Sequence, residues 1–413
     1  MGADLNHRKA AARLHLVKKD GTPVSGQDIR ITQKSHQFLF GVGGFESVEL
    51  AGGKQNGEPI EDSRKSFLKE KVDKLFEFNN YATLPFYIGR YEPEEGKPDE
   101  RRLRAGAAWL SQKNITLKGH PLCWHTVCAD WLMDYSNSKI LQKVIARIER
   151  DVSAYAGIID IWDVINEVVI MPIFNKYDNA ITRICKEYGQ VRIVKEVFEA
   201  AKRANPNSVL LLNDFDVSKD YEILIDKVLQ AGIPIDVIGI QSHQHQGYWG
   251  KEKLNDVLER FSRFALPLHF TENTIISGDL MPGHIEDLND WQVEKWPTTP
   301  EGEERQKKEI SEMYDILFAH PRVEAITTWS GGDDAWLHAP AGFLRVDNSE
   351  KPSYRAIQSK IKNDWHTEIT AHTDSDGFVN IEGFKGKYEI SCMNKAIVFE
   401  LDGKEKNTEL KYG

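Results

Sequence analysis

The chain has 413 residues and a mass of 47.1 kDa, which leaves room for a barrel domain of about 250 residues and an additional segment. Its formal net charge is −10, and it lacks the basic footprint of a nucleic-acid-binding protein. No segment approaches the ~20 apolar residues of a membrane span. Neither nucleic acid nor a membrane is therefore expected as a partner.

The N-terminal segment MGADLNHRKAAARLHL contains no apolar run of signal-peptide length. We expect a secreted protein whose signal sequence has been removed, with a cytoplasmic protein as the alternative. A monomer is expected. The cysteines do not show the paired spacing of a disulfide framework or a zinc site, so free buried thiols are predicted at Cys123, Cys128, Cys185 and Cys392.

The middle of the chain alternates between short apolar runs and longer stretches with helical periodicity. The predicted strands are residues 38–42, 81–87, 116–122, 158–165, 208–213, 236–241, 266–271 and 324–329. The predicted helices are residues 62–78, 100–112, 138–154, 190–204, 221–231, 253–264 and 303–320. Eight strands in such an alternation predict an α/β protein whose parallel sheet closes into a (β/α)₈ TIM barrel. A doubly wound sheet is disfavoured because Gly41-Val42-Gly43-Gly44 does not match the glycine-rich phosphate turn.

The two ends of the chain do not follow this alternation. Residues 12–34 predict two strands around a turn containing Asp20-Gly21, and residues 366–413 predict four or five short strands. Because an isolated hairpin is only marginally stable in water, we predict that both ends form one small accessory β-sandwich packed beside the barrel. The predicted domains are residues 1–34 (N-terminal strands), 35–362 (barrel) and 363–413 (C-terminal β-rich segment).

Polar and aromatic residues follow the predicted strands at their carboxyl ends, where barrel enzymes have their active sites. Glu167 and Glu272 each end an apolar strand, the fourth and the seventh, which directs both carboxyl groups into the barrel mouth. Retaining glycosidases need two carboxyls about 5–5.5 Å apart, one as acid/base and one as nucleophile. The pair therefore predicts a retaining glycoside hydrolase with Glu167 as general acid/base and Glu272 as nucleophile.

Neighbouring residues suit the same chemistry. The Asn166 amide is placed to donate to the sugar 2-hydroxyl, and His243 to hydrogen-bond Glu272 and keep it ionised. Indole rings offer flat faces for a pyranose ring at Trp124, Trp329 and Trp336.

A metal site is the alternative role for the histidines of this region. His243 and His245 are two apart on a strand and point to one face, with His120 and His125 nearby in the predicted fold. The chain has no H-E-x-x-H helix. Each histidine also has a hydrogen-bonding role available, so no metal or other cofactor is expected.

Four motifs resemble those of glycoside hydrolase family 10, whose members include endo-β-1,4-xylanases. They are GHPLCWH with the following DWL, WDVINE, GIQSHQH and FLRVDNSEKPSYRAI, in the family's order over about residues 30–360. The resemblance implies an endo-β-1,4-xylanase-like enzyme with a polysaccharide or oligosaccharide as partner. It also implies Glu167 as acid/base, Glu272 as nucleophile, and a −1 sugar site formed by His120, Trp124, Asn166, Gln241, His243 and Trp329.

Three departures from the family pattern concern substrate recognition. The segment 83–91 reads TLPFYIGRY where the family has T-P-E-N-E-M-K-W, which leaves Tyr87 and Arg90 as the replacements for its polar groups. Val127 stands where a Gln is usual, and Thr271-Glu272-Asn273-Thr274 lacks the Asp of T-E-L-D. Xylan is the leading substrate. Another β-glycoside (a short oligosaccharide, an aryl or a terpenoid glycoside) and a non-catalytic carbohydrate-binding protein are the alternatives.

Overall fold

The computed structural model describes residues 4–55, 57–392, 395–404 and 407–412. It divides into two compact units. One consists of Phe40–Ile316 and Arg322–Tyr354. The other consists of the described residues up to Leu39, of Leu317–Pro321, and of the described residues from Arg355 onwards. The domain boundaries given above remain a prediction.

Seven strands belong to the terminal segments of the chain, and nine belong to a barrel sheet. The bounds in chain order are β1 Lys9–Lys18, β2 Asp28–His36, β3 Leu39–Gly43, β4 Tyr81–Pro85, β5 Thr116–His120, β6 Ile161–Asn166, β7 Val209–Asp214, β8 Val237–Ile240, β9 His243–Gln244, β10 Leu268–Ile275, β11 Val323–Thr328, β12 Glu368–His372, β13 Phe378–Phe384, β14 Gly386–Cys392, β15 Lys395–Leu401 and β16 Asn407–Tyr412.

Eight parallel strands close into a barrel in the order β3-β4-β5-β6-β7-β8-β10-β11, with β11 returning to β3. The two-residue strand β9 pairs with the end of β10, where His243 lies opposite Thr274. Each strand lies within a few residues of a predicted one, which confirms the (β/α)₈ barrel. Most of the runs are apolar because both faces are covered; β8, for example, has the sequence VIGI and is buried at all four positions.

The helices alternate with these strands. Their bounds are α1 Phe45–Gly52, α2 Asp62–Leu75, α3 Ile88–Tyr91, α4 Glu100–Gln112, α5 Asn137–Tyr155, α6 Ala180–Tyr188, α7 Gln190–Ala204, α8 Lys219–Gln230, α9 Gly250–Ser262, α10 Pro300–Ala319 and α11 Pro352–Ser359. Helix α6, absent from the sequence prediction, is capped at its N-terminus by Asn179, whose side chain accepts from the Thr182 N–H at 2.8 Å. None of the described helices is long and apolar enough to cross a membrane.

The terminal segments form two small sheets around one core. Strand β1 lies between β13 and β16, while β2 lies between β12 and β14, and β15 completes the second sheet. Alternate side chains such as Leu14, Ile31 and Ile390 meet in a shared apolar cluster. The prediction that both ends build one β-sandwich is confirmed.

The prediction of an N-terminal hairpin was wrong. A turn does form around Gly21, with the Lys18 N–H donating to the Thr22 carbonyl at 2.7 Å. However, β1 and β2 then separate into different sheets, and β2 pairs through Ile31 with Ile369 on one side and Ile390 on the other. In a hairpin, β1 and β2 would pair with each other; here each pairs with strands from the C-terminal segment instead.

The cysteines are free thiols, of which Cys128 is half-buried and the others are buried.

Candidate active site

The two predicted carboxyl groups lie at the carboxyl ends of barrel strands. Glu167 directly follows β6, and its N–H donates to the Asn213 carbonyl at 2.9 Å. Its φ of 58° places a non-glycine residue in the left-handed region, a strained conformation typical of functional sites. Glu272 lies within β10, where its N–H donates to the Gln241 carbonyl at 3.1 Å. Backbone pairing at adjacent strand ends thus fixes both residues.

Three side-chain donors reach the carboxyl group of Glu167. The Trp124 indole N–H donates to Oε2 at 2.8 Å, and the amides of Gln241 and Asn166 donate to Oε1 at 3.1 and 3.2 Å. Burial nevertheless dominates and raises the pKa of Glu167 to about 8, and the negative charges of Asp214 and Glu272 act in the same direction. A carboxyl group in this setting holds its proton at neutral pH.

The surroundings of Glu272 favour the opposite protonation state. The Asn213 amide donates to Oε1 at 2.8 Å, His243 Nε2 lies 3.3 Å from Oε2, and His120 Nδ1 lies 3.8 Å from Oε1. Burial acts to raise the pKa of Glu272, but the charge of His120 and the hydrogen bond and charge of His243 lower it below its usual value. Two carboxyls with pKa values displaced in opposite directions mark an acid and a base.

Asn213 connects the two carboxyl groups and was not among the predicted site residues. Its amide donates to both Asn166 Oδ1 and Glu272 Oε1 at 2.8 Å, and its own Oδ1 accepts from the Thr271 hydroxyl at 2.7 Å. Gln241 completes the link by donating to Asn166 at 3.1 Å. The network therefore runs without interruption from one carboxyl to the other.

A second omission from the sequence prediction is the buried ion pair beneath the site. Asp163 Oδ2 lies 2.6 Å from Lys118 Nζ and 2.7 Å from His120 Nδ1. The carboxylate thereby orients His120, which in turn faces Glu272. Charged residues inside the apolar motifs TLKGH and WDVINE were the available signal.

Aromatic rings surround the carboxyl groups, as the sequence predicts. The Trp329 ring lies 5.1 Å from His120, and the Trp336 ring lies 4.7 Å from His243. Tyr87 lies 5.5 Å from His120 and 5.6 Å from Trp124. The burial of Tyr87 and the nearby charge of Glu272 raise its pKa well above the usual value.

Arg90 occupies the rim of this group of rings. It lies on the short helix α3, with its guanidinium carbon 5.8 Å from the centre of the Tyr87 ring. Its side chain is exposed, and no ion pair joins it to a carboxylate in the described part of the chain. All the predicted site residues thus lie around one mouth, with Arg90 at its edge.

Two of the departures from the family pattern have structural roles. Val127 has a φ of 48°, and its carbonyl accepts from the Gly89 N–H at 2.8 Å, which attaches its loop to α3. Asn273 is buried; its amide donates to the Thr327 carbonyl at 2.8 Å, and its Oδ1 accepts from the Ser242 hydroxyl. Asn273 therefore ties the strand of Glu272 to both of its neighbours.

One group of side chains has the composition of a metal site. It is His120, Asp163 and Glu272, whose ligand atoms all lie within 4.8 Å of one another. This is a different set from the imidazole cluster considered in the sequence analysis. Lys118 and His120 already supply positive charge to Asp163, so the carboxylate is compensated without an ion.

A (β/α)₈ barrel that holds an acid and a carboxylate among indole and imidazole rings has the parts of the glycoside hydrolase class. Comparison with known proteins then specifies the family. Residues 67–360 match the model described as glycosyl hydrolase family 10. The chain belongs to this family.

Curated relatives carry xylanase names. An endo-1,4-beta-xylanase/feruloyl esterase of Xylanibacter ruminicola is 26% identical over 65% of this chain and 40% of its own length. Endo-1,4-beta-xylanase C of Paenibacillus barcinonensis is 25% identical over 72% of this chain and 30% of its own length. This chain therefore spans less than half the length of these relatives. Endo-1,4-beta-xylanase 3 of Hypocrea jecorina is 30% identical over 67% of this chain and 77% of its own length.

Solved structures agree on the fold. Native xylanase 10B from Thermotoga maritima superposes with a TM-score of 0.62 at 18% identity, covering 79% of this chain and 96% of that one. At this identity the likeness concerns the barrel architecture alone.

Proposed function

We propose that the chain is a retaining glycoside hydrolase that cleaves β-1,4-linked xylan or xylo-oligosaccharides by double displacement. The observation that carries the proposal is the pair Glu167 and Glu272, joined by one hydrogen-bond network and shifted in pKa in opposite directions. A protonated acid and an ionised nucleophile are the two groups that this reaction requires. The xylanase names of the relatives support the choice of substrate.

In the first step, the Glu272 carboxylate attacks the anomeric carbon while Glu167 gives its proton to the departing glycosidic oxygen. The product is a covalent glycosyl ester on Glu272. In the second step, Glu167 takes a proton from water, whose oxygen attacks the anomeric carbon and releases Glu272 as a carboxylate. Two inversions give net retention, and Glu167 ends the cycle protonated again.

The surrounding residues serve these steps. Donors from Trp124 and Gln241 stabilise the charged form of Glu167 that exists between the steps. His243 and His120 hold Glu272 as the charged nucleophile. Trp329 and Trp336 provide faces against which a pyranose ring packs. We assign Asn166 the role of holding the sugar 2-hydroxyl.

The altered segment 83–91 supports a second candidate, a glycosidase of the same mechanism that acts on another β-glycoside. Phe86, Ile88 and Tyr91 are buried in the segment where the family pattern has polar residues. A site that lacks the hydrogen-bonding groups for a sugar hydroxyl loses its preference for that sugar. A third candidate is a carbohydrate-binding protein without activity.

A substrate panel tests these candidates. The protein is assayed with xylan, β-glucan, aryl β-xylobioside and other aryl β-glycosides, and NMR identifies the anomer that is released first. Xylan turnover with a β-configured first product is expected. Turnover of another glycoside alone would favour the second candidate. Sugar binding without turnover of any β-glycoside would contradict the proposed enzyme and favour the third.

A further inference from the structure

A long loop follows the Glu272 strand, and its base is firmly anchored. We call residues 276–299 the bridging loop. Ile276, Met281 and Trp296 are buried in one apolar cluster, and the Trp296 indole donates to the Asp279 carbonyl at 2.7 Å. The Met281 N–H donates to the His245 carbonyl at 3.0 Å, which joins the loop to the segment after β8. Trp296 therefore anchors the base of the loop.

The tip of the bridging loop is an acidic turn bound to the loop that follows Glu167. Lys176 Nζ lies 2.6 Å from Asp287 Oδ2 and 2.5 Å from Asp290 Oδ1. Lys176 belongs to the segment between Glu167 and α6, whereas both aspartates belong to the segment after Glu272. The loops that continue from the two carboxyl-bearing strands are therefore joined to each other.

The same tip also contacts the loop after β11. The Trp336 indole N–H donates to Asn289 Oδ1 at 3.3 Å, and the Trp336 ring lies next to His243, the partner of Glu272. Strands β7 and β8 separate β6 from β10 in the barrel order. The tip consequently joins the loops that follow β6, β10 and β11, which are the strands on either side of the carboxyl pair.

The position of Lys176 relates this bridge to the departing part of the substrate. Glu167 is the group that protonates the leaving oxygen in the proposed reaction, so the segment that runs on from Glu167 borders the leaving group. Tyr177, next to Lys176, is close enough to Glu167 and Asp287 to be affected by both charges. A polymer that continued beyond the scissile bond would have to pass the ion-paired tip.

We propose that the Lys176–Asp287–Asp290 bridge restricts the enzyme to short β-glycosides and chain ends, with Lys176 as a specificity-determining residue. The inference rests on the proposed function. The bridge leaves the carboxyl pair itself untouched, because Lys176 makes no contact with Glu167 or Glu272 among the described interactions. Its removal should therefore affect long substrates selectively.

The experiment compares wild type, Lys176→Ala and Lys307→Ala on soluble xylan and on aryl β-xylobioside. Lys307 pairs with Glu304 on the exposed face of α10 and serves as the matched control. We expect wild type to produce only a small decrease in xylan viscosity relative to the number of reducing ends that it releases. Lys176→Ala should raise the ratio of xylan to aryl-glycoside kcat/KM about three- to tenfold, in line with two partly exposed ion pairs. Lys307→Ala should leave the ratio unchanged.

Salt provides a second measurement that requires no variant. In 1 M NaCl the Debye length is about 3 Å, so the ion pairs of the bridge should be weakened. Salt should therefore raise the ratio of xylan to aryl-glycoside kcat/KM in wild type and have little effect on it in Lys176→Ala. Rapid viscosity loss by wild type, together with a kcat/KM ratio that neither salt nor Lys176→Ala changes, would overturn the proposed role of the bridge in specificity. Failure of wild type to cleave aryl β-xylobioside or any other β-glycoside would instead overturn the proposed function, so the two failures are distinguishable.

Discussion

The carboxyl pair and the rim of the mouth differ in how firmly their side chains are held. Glu167 accepts three side-chain hydrogen bonds, and Glu272 is held by Asn213 and two histidines. Arg90, on the rim, has a ring contact with Tyr87 but no carboxylate partner among the described residues. In the proposed mechanism the chemistry depends on a preorganised, buried network, and we expect Arg90 to act only on substrate binding at the rim. Changes in the two regions should have effects of different size and kind.

Glu272→Ala should have the largest effect. Without the nucleophile no glycosyl ester forms, so kcat on aryl β-xylobioside should fall by at least about 10⁴-fold. Azide added to this variant should restore turnover by attacking from the vacated side, and NMR should show a glycosyl azide of inverted configuration.

The control for this experiment is Glu301→Ala, which removes an exposed carboxylate in the first turn of α10. It should retain wild-type kcat and show no response to azide. Full activity in Glu272→Ala would contradict the role of nucleophile.

Glu167→Gln should have the second largest effect. Loss of the acid should lower kcat/KM on xylan by about 10²–10⁴-fold, with a smaller loss on dinitrophenyl glycosides, whose leaving group needs no proton. In wild type, activity should fall as pH rises through about 8, because Glu167 then loses its proton. It should also fall in acid, below the usual carboxyl range, because Glu272 then gains one. The alkaline decline should be absent from the variant.

Glu309→Gln is the matched control for the pH profile. Glu309 is a carboxyl group of α10 whose pKa is also raised by burial, but it lies outside the network of the site. It should keep the wild-type profile. An alkaline decline that survives in Glu167→Gln would assign the titration to another group.

Much of the barrel could be predicted because its strands are defined by local pattern. An apolar run that is buried on both faces, such as β8, can be located in the sequence without knowledge of the strand it pairs with. The terminal strands alternate instead, and alternation indicates which face is buried but not which strand pairs with it. This is why β1 and β2 were wrongly predicted to pair, although Ile31 and Leu14 were correctly placed in a β-sandwich.

The site shows the same division between local and non-local information. Glu167 and Glu272 could be predicted because each lies at or beyond the carboxyl-terminal half of an apolar strand pattern, from which its side chain is expected to point into the mouth. The role of Asn213 depends on three strands meeting at its amide, and the role of Lys176 depends on an acidic turn more than 100 positions away along the chain. Neither relation leaves a pattern in the local sequence.

Asp214→Asn tests whether the network extends one residue beyond the carboxyl pair. Asp214 accepts the N–H of Val169 at 3.1 Å and that of Asp216 at 3.0 Å, and so fixes the turn that follows Glu167. An asparagine has one accepting oxygen and presents an NH₂ to the other donor. We expect kcat to fall about tenfold, the size of one lost hydrogen bond to a charged group. The alkaline decline should also move to lower pH, because the charge of Asp214 raises the pKa of Glu167.

Asp216→Asn is the control for this prediction. It removes a nearby negative charge but leaves the bond from Val169 to Asp214 in place. Its kcat should stay close to wild type. An equal loss in both variants would indicate a general effect of charge rather than positioning of Glu167.

Arg90→Ala should have the smallest effect and a different kinetic signature. We expect this exposed guanidinium on the rim to contact the bound substrate equally in the ground state and in the transition state, so its removal should raise KM and leave kcat unchanged. The expected increase in KM is roughly two- to tenfold, the value of one hydrogen bond to an exposed group.

Arg101→Ala, at an exposed position of α4, is the control and should change neither constant. A fall in kcat for Arg90→Ala would place Arg90 within the catalytic network and remove the contrast between the buried centre and the rim. An increase confined to one glycone across the substrate panel would instead sharpen that contrast, because it would identify the sugar that the altered 83–91 segment recognises.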